Sequence, residues 1–201
     1  MSSASRSRAE LAATLAPVLL DPAEAAALDV HGRIDAAVLV PLYLHDDGGV
    51  GVVLTKRRDD LRRHAGEISF PGGRQDDDES DLRDTALREA HEEIGLPADA
   101  VELIGALQPT PTIATNYAIY PFVGLIEPGH AWTPSDREVE TILEFGLGAL
   151  QAGYERRRLM RRGVPFRTDT YLVGEHLIWG ATARILTDLL ERTAAAGWAS
   201  S

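Results

Sequence analysis

The chain has 201 residues and a mass of 21.8 kDa, and it is 44% hydrophobic and 25% charged, which is typical of a globular domain. It contains no cysteine, which excludes disulfides, cysteine-ligated metal centres and thiol catalysis. The formal net charge of −11 argues against non-specific nucleic-acid binding. No apolar run approaches the roughly 20 residues of a membrane-spanning helix, and the polar start does not resemble a signal peptide. We therefore expect a cytoplasmic protein that binds neither nucleic acid nor membrane.

The first part of the chain predicts a helix followed by a β-hairpin. Ala and Leu alternate with polar residues over 8–20, which indicates an N-terminal helix. The continuous apolar run 36–44 has the length of a buried strand, and an Asp-Asp-Gly-Gly turn signal joins it to the β-rich segment 50–55. A basic loop is predicted at 57–73.

The rest of the chain predicts more strands between two longer helices. The predicted strands lie at 101–107, 117–126, 139–145 and 168–173, and the predicted helices end at 94 and span 181–196. The basic run 156–162 is interpreted as a solvated turn. This order predicts a mixed α+β sandwich, with a helical extension at 1–33, one domain at 34–196 and a tail at 197–201.

The segment before Ile94 has the signals of a capped amphipathic helix. Ser80 or Asp81 can cap its N-terminus, and Gly95 suits the left-handed residue that ends a helix. The side that we expect to pack on a sheet consists of four apolar residues, Ala86, Leu87, Ala90 and Ile94.

Glu89, Glu92 and Glu93 fall on the opposite side of this helix, because they are spaced i, i+3 and i+4. Like charges at this spacing destabilise an isolated helix by roughly 0.2–0.5 kcal/mol per pair. A divalent cation such as Mg²⁺ or Mn²⁺ would explain the arrangement, since hard cations take oxygen ligands. The alternative is a solvated acidic face with Arg88 as a neutralising neighbour.

This helix and the turn before it resemble the Nudix box, G-x5-E-x7-R-E-U-x-E-E-x-G-U, in which U is aliphatic. Gly73 and Glu79 match the first half, and the run from Arg88 to Leu96 matches the second half, with Ala90 as an aliphatic residue. One extra residue separates Glu79 from Arg88. This insertion resembles that of the coenzyme A pyrophosphatase branch of the family.

The segment ahead of the box is similar to the motif that marks this branch, L-L-T-x-R-[SA]-x3-R-x3-G-x3-F-P-G-G. The residues in register are Leu54, Thr55, Arg57, Arg62, Gly66, Phe70, Pro71, Gly72 and Gly73. Val53 replaces a leucine, and Arg58 stands where the branch usually has serine or alanine. The run 178–184 also resembles this branch.

The resemblance implies the Nudix fold, an α/β/α sandwich with a mixed β-sheet between helices. It also implies hydrolysis of the pyrophosphate bond of coenzyme A or its derivatives to 3′,5′-ADP and 4′-phosphopantetheine, with Mg²⁺ or Mn²⁺ as the cofactor. The expected partner is therefore this small-molecule substrate. A homodimer is a further expectation, because many small hydrolases form two-fold dimers.

The resemblance assigns roles to particular residues. The residues that match the metal-binding positions are Glu89, Glu93, Glu92 and Gly73, the last through its backbone carbonyl. Arg88 matches the arginine that orients a glutamate, and it completes the catalytic set with Glu89 and Glu92. The proton of the attacking water would go to Glu89, or to a glutamate from a later loop, Glu138 or Glu140.

Four residues of the upstream motif are expected to bind the substrate, namely Arg57, Arg62, Gly66 and Phe70. The two arginines suit the phosphates of coenzyme A, since a guanidinium makes bidentate contacts with phosphate.

Two other functions remain as alternatives. A Nudix hydrolase could act on another nucleoside diphosphate derivative, such as ADP-ribose, a dinucleotide or a nucleoside triphosphate. An inactive Nudix domain could serve as a ligand-binding module, although that reading predicts a broken glutamate set.

Overall fold

Helices and strands account for most of residues 7–60, 66–112, 116–161 and 163–198, the part of the chain that this computed structural model describes. The helices are α1 (Arg8–Leu15), α2 (Pro22–Ala26), α3 (Leu82–Ile94), α4 (Leu147–Ala152) and α5 (Gly180–Ala195). The strands are β1 (Ile34–Leu44), β2 (Val50–Arg57), β3 (Ile68–Ser69), β4 (Gly72–Arg74), β5 (Glu102–Ala106), β6 (Thr110–Pro111), β7 (Tyr117–Leu125), β8 (Val139–Gly146), β9 (Tyr154–Arg161), β10 (Val164–Val173) and β11 (His176–Trp179). Among these described residues, no helix is long and apolar enough to cross a membrane.

The central sheet is mixed, and β1 lies in its middle. β1 pairs in parallel with β7, from Ile34 opposite Tyr117 to Leu42 opposite Leu125. Its other edge pairs antiparallel with β2 near one end and with β4 near the other. β3 and β8 pair with β2, and β5 and β6 pair with β7. The predicted hairpin is confirmed, with both strands two residues longer than the sequence indicated.

Helices cover both faces of this sheet. On one face, Leu39 of β1 packs in a core cluster with Ala90 and Ile94 of α3. On the other face, Leu42 of β1 belongs to a cluster that includes Leu186 of α5. Because both faces are buried, successive residues of β1 are apolar instead of alternating with polar ones. The structure is therefore the predicted α/β/α sandwich with a mixed sheet.

The N-terminal segment is part of this core. Leu11 and Leu15 of α1 are fully buried in the cluster on the α5 side of the sheet. The prediction of one helix over 8–20 is wrong beyond Leu15, where a 3₁₀ turn follows at Ala16–Val18. Pro17 explains the break, because its backbone nitrogen has no hydrogen to donate and its ring crowds the preceding turn.

A second sheet consists of β9, β10 and β11 in antiparallel order. The interpretation of 156–162 as a solvated turn is wrong, since β9 pairs with β10 from Tyr154 opposite Tyr171 onward. Tyr171 anchors this sheet, because its side chain is buried in the core and its hydroxyl lies 2.8 Å from that of Thr187 in α5. The basic segment is therefore a strand because it pairs with β10, although its sequence lacks the apolar alternation typical of a strand.

Helix α3 begins and ends as predicted. The carboxylate of Asp81 accepts a hydrogen bond from the Arg83 amide, and Gly95 ends the helix with a left-handed φ of 73°. The apolar stripe packs on the sheet, which turns the glutamate side of the helix toward β2, β4 and the loop before β8.

Candidate active site

The three glutamates of α3 lie in different environments. The prediction that all three lie opposite the apolar stripe is wrong for Glu93, which is buried together with Ala90 and Ile94. The side chain of Glu93 is 6% exposed, that of Glu89 is 18% exposed and that of Glu92 is 57% exposed. Glu93 therefore lies at the bottom of the site, Glu89 in its wall and Glu92 at its rim.

Glu93 is a buried carboxylate with incomplete compensation of its charge. The Gly72 amide donates to its Oε2 over 3.2 Å, and Arg57 Nη1 lies 3.5 Å from its Oε1. Burial outweighs these contacts and raises the pKa of Glu93 to about 8, because desolvation disfavours the charged form.

Glu89 lies against the backbone of β4. A Cβ built on Gly73 would overlap its carboxylate, so only glycine allows this close approach. Arg88 Nη1 donates to Glu89 Oε1 over 3.0 Å. Burial nevertheless raises the pKa of Glu89. The pairing of β4 with β1, in which Gly73 lies opposite Ala37, holds this wall of the site in place.

Arg88 connects the two halves of the box. Its Nε donates to Glu79 Oε1 over 2.8 Å, and Nη1 also lies 3.4 Å from Glu92 Oε1. Hydrogen bonding to Arg88 lowers the pKa of Glu79 to about 2 and raises that of Arg88. The extra residue between Glu79 and Arg88 therefore leaves their ion pair intact.

Arg57 enters the site from the end of β2. Its Nη2 donates to Glu138 Oε2 over 3.0 Å, so one guanidinium lies between Glu138 and Glu93. The shared guanidinium brings Glu138 close to Glu93 of the helix. Glu140 has a different partner, because Lys56 Nζ donates to it over 3.0 Å.

The other three residues of the upstream motif that were expected to bind substrate are Phe70, Gly66 and Arg62. Phe70 is only 2% exposed and its side chain belongs to the core, so its role in substrate binding stays a prediction. Gly66 has a left-handed φ of 68°, and its amide donates to the carbonyl of Arg57, which closes the loop after β2. Arg62 lies outside the described residues.

Sequence reasoning predicted a loop at 129–136 but missed its contact with the end of α3. The Thr133 amide donates to the Ile94 carbonyl over 3.1 Å, and the Ser135 amide donates to that of Glu93 over 2.9 Å. These bonds satisfy carbonyls that a helix end leaves without partners. Trp132 fixes the same loop, since its Nε1 donates to Glu144 of β8 over 2.6 Å. Nothing in the local sequence, beyond a loop of suitable length, signals this contact.

The residues on this face fit a divalent cation by their donor chemistry. Carboxylate oxygens are the ligands that Mg²⁺ and Mn²⁺ prefer, and the Gly73 backbone lies against the Glu89 carboxylate. In the described ranges, no three acidic or histidine side chains already converge on one ion position. Instead, Arg57 contacts Glu93, and Arg88 contacts Glu89 and Glu92. Glu89 and Glu93, with Glu92 at the rim, are the residues that would hold a cation.

Comparison with known families gives a match over the part of the chain that contains this site. Residues 33–162 match the family model described as the NUDIX domain. The chain belongs to the Nudix family. Nudix hydrolases act on a pyrophosphate bond of nucleoside diphosphate derivatives and generally need divalent cations.

Two relatives carry the same family name. One from Enterobacter sp. (strain 638) is 38% identical over 80% of this chain and 83% of its own length. One from Salmonella paratyphi B is 40% identical over 77% of this chain and 80% of its own length. Both are named uncharacterized Nudix hydrolase NudL. This Nudix chain is therefore similar to the NudL proteins over most of both lengths.

Solved Nudix structures share the fold at low sequence identity. The Nudix hydrolase RenU from M. smegmatis superposes with a TM-score of 0.59 at 18% identity, over 88% of this chain and 94% of that one. The Nudix domain of Shewanella oneidensis NrtR, solved in complex with ADP ribose, gives a TM-score of 0.53 at 15% identity, over 88% and 98%. These likenesses confirm the Nudix fold of this chain.

Proposed function

We propose that this Nudix hydrolase cleaves the pyrophosphate bond of coenzyme A or its acyl derivatives. The products are 3′,5′-ADP and the corresponding 4′-phosphopantetheine. The observation that supports this assignment is the contact between the upstream motif and the Nudix helix. Arg57, from one end of the motif, faces Glu93, while Gly72 and Gly73, from its other end, contact Glu93 and Glu89.

The charge pattern of the site suits this substrate. Coenzyme A carries a diphosphate and a separate 3′-phosphate, so its binding needs cations on an acidic protein. Arg57 lies among the glutamates, where its guanidinium can contact a phosphate oxygen of the diphosphate. Arg62, five residues further along the motif, stays the candidate for another phosphate group.

A bound divalent cation supplies charge neutralisation at the phosphoryl oxygens and lowers the pKa of a coordinated water. Hydrolysis then consumes one water, whose oxygen forms a new bond to one phosphorus while the bridging oxygen leaves with the other phosphate. A carboxylate accepts the proton of the water.

Glu138 is our preferred acceptor for that proton. It is half exposed, it shares the Arg57 guanidinium with Glu93, and the loop fastened to the end of α3 positions it. Glu89 remains a second candidate. Glu140 is a weaker one, because its carboxylate is held by Lys56.

The test is chromatography of reaction products. The purified protein would be incubated with Mg²⁺ or Mn²⁺ and, separately, with coenzyme A, acetyl-coenzyme A, ADP-ribose, NADH and dGTP. Glu93→Gln removes a site carboxylate, and Glu191→Gln removes an exposed one from α5 as the matched control. We expect 3′,5′-ADP from coenzyme A with the wild type and with Glu191→Gln, and none with Glu93→Gln.

Turnover of another substrate alone would refute coenzyme A as the substrate while leaving the Nudix reaction in place. A folded wild-type protein that hydrolyses none of the five compounds would favour the ligand-binding alternative.

A further inference from the structure

Arg57 serves as counter-ion to two carboxylates of unequal burial. Its Nη2 donates to Glu138 Oε2 over 3.0 Å, whereas its Nη1 lies 3.5 Å from Glu93 Oε1, which is longer than a good charge-assisted hydrogen bond. Glu138 is half exposed and Glu93 is almost completely buried. The shorter contact is thus made to Glu138, which water can also solvate, and the longer one to the buried Glu93.

The third donor of Arg57 has no acceptor. Its Nε is buried from solvent and makes no hydrogen bond within the described residues. A buried N–H without an acceptor is unfavourable, and native proteins rarely leave one. Arg57 is therefore only partly satisfied in this arrangement.

Arg88 provides a contrast on the same face. Its Nε, Nη1 and Nη2 all have acceptors, contributed by Glu79, by Glu89 and by the carbonyl of Arg74. Arg88 contacts Glu89 in the site, but Glu79 and the Arg74 carbonyl also hold it from outside the cation ligands. Arg57 has its two partners in the site itself, Glu93 and Glu138, and both are oxygen donors of the type that a divalent cation attracts.

We propose that Arg57 is an exchangeable counter-ion of the cation site. Without a cation its guanidinium contacts Glu93 and Glu138. A divalent cation at Glu93 displaces the guanidinium from that carboxylate, and the released guanidinium, including its Nε, binds an oxygen of a phosphate group. The cation and the phosphate ligand then bind cooperatively through Arg57, because each favours the same released state. This inference rests on the proposed function only for the statement that the ligand carries a diphosphate.

The first test is calorimetric measurement of Mg²⁺ binding to the full chain without substrate. Arg57→Met removes the competing cation, and Arg58→Met removes the same charge one residue away, where the side chain pairs with Asp60 and the Asp136 carbonyl. We expect Arg57→Met to bind Mg²⁺ about fivefold more tightly or better, and Arg58→Met to change the affinity by less than about twofold. Equal affinities of the two variants would overturn the proposal.

The second test measures binding of inorganic pyrophosphate at saturating Mg²⁺. Arg57→Met should weaken it by about fivefold or more relative to Arg58→Met, because the phosphate loses a fork of donors. Unchanged pyrophosphate binding would refute the second half of the proposal. Neither measurement uses coenzyme A, so a wrong substrate assignment would leave both results interpretable.

A third readout is made on the wild type, in case Arg57→Met does not fold, and uses the conservative variant Arg57→Lys only for assignment. In ¹⁵N-arginine-labelled protein, the Nε–H signal of Arg57, assigned by its loss in Arg57→Lys, reports release directly. Mg²⁺ should shift this signal and speed its exchange with water, and pyrophosphate should then slow that exchange. A signal that Mg²⁺ leaves unchanged would show that Arg57 stays on its carboxylates.

Discussion

Arg88 holds Glu79 through two nitrogens, with Nε donating to Oε1 over 2.8 Å and Nη2 donating to Oε2 over 3.2 Å. The same carboxylate accepts from the Thr85 hydroxyl over 2.7 Å and from the Asp76 amide over 3.0 Å. Glu79 thus joins the turn before α3 to the middle of that helix. Its role is to hold Arg88, which in turn contacts Glu89.

Replacing Glu79 by glutamine should destabilise the protein in a pH-dependent way. The pKa of Glu79 is lowered from 4.5 to about 2 by Arg88. Since the folded-state pKa is depressed, the stabilisation is fully present above pH 4.5 and is lost as the pH falls toward 2. Glu79→Gln should lower the free energy of unfolding by up to about 3 kcal/mol at pH 7.

Urea unfolding of the wild type and Glu79→Gln between pH 3 and 7 measures this difference, with Glu191→Gln as the control. The gap between wild type and variant should shrink as the pH decreases. A gap that is the same at every pH would contradict the ionic role of Glu79.

In the metal-free protein, Glu93 should make the stability fall as the pH rises, which is the opposite of the pH dependence expected from Glu79. Burial raises its folded-state pKa from 4.5 to about 8, so the folded protein retains a proton that the unfolded chain has lost. Stability from this group is fully present below pH 4.5 and is lost as the pH rises through 8.

Thermal unfolding in the presence of a chelator, at pH 6 and pH 9, tests this. The wild type should lose more stability toward pH 9 than Glu93→Gln, whose side chain stays neutral. Equal losses in the two proteins would show that Glu93 ionises normally.

Gly73→Ala should impair catalysis more than folding. A Cβ at this position overlaps the Glu89 carboxylate, which must then move away from β4. We expect kcat to fall by about tenfold or more, because small displacements of catalytic groups are costly. Gly146→Ala is the control, since a Cβ there meets no atom within 4 Å and its φ is −67°.

Steady-state kinetics of both glycine variants measure the change in kcat, and thermal unfolding measures the change in stability. If Gly73→Ala keeps the wild-type kcat, the close contact between β4 and Glu89 is not needed for the reaction.

Trp132→Phe should destabilise the loop that positions Glu138. The substitution removes the 2.6 Å hydrogen bond to Glu144 while keeping most of the ring volume. We expect a loss of about 1–2 kcal/mol in stability and faster hydrogen exchange of the Thr133 and Ser135 amides. Glu144→Gln, which keeps an acceptor oxygen, should have a smaller effect on both. Exchange rates that do not change would place the anchor of the loop elsewhere.

Sequence patterns were sufficient to predict the helices and strands that depend on neighbouring residues in the chain. The cap at Asp81, the left-handed Gly95 and the apolar stripe that includes Ala90 set the limits and orientation of α3. The apolar run of β1 likewise indicated a buried strand. These features depend on neighbours in the chain, so pattern reasoning could find them.

The remaining features depend on contacts between distant segments. Periodicity placed Glu92 and Glu93 on one side of α3, but only the packing against Gly72 and Arg57 makes Glu93 buried and Glu92 exposed. The strand β9 was missed because its charged residues show no alternation, and its pairing with β10 supplies the order instead. The contact of the loop 129–136 with the helix end could not be predicted, since the loop amides bond to carbonyls about forty residues earlier in the chain.

The parallel pairing of β1 with β7 has a consequence for the order in which the site assembles. Arg57, Gly73, Glu89 and Glu93 all belong to the continuous stretch that runs from β1 through α3, whereas β7 and Glu138 come later in the chain. Contacts close in sequence form with a smaller loss of chain entropy than distant ones. We expect the glutamate helix and its arginine to meet early in folding, and the loop with Glu138 to close over them only after β7 and β8 have joined the sheet.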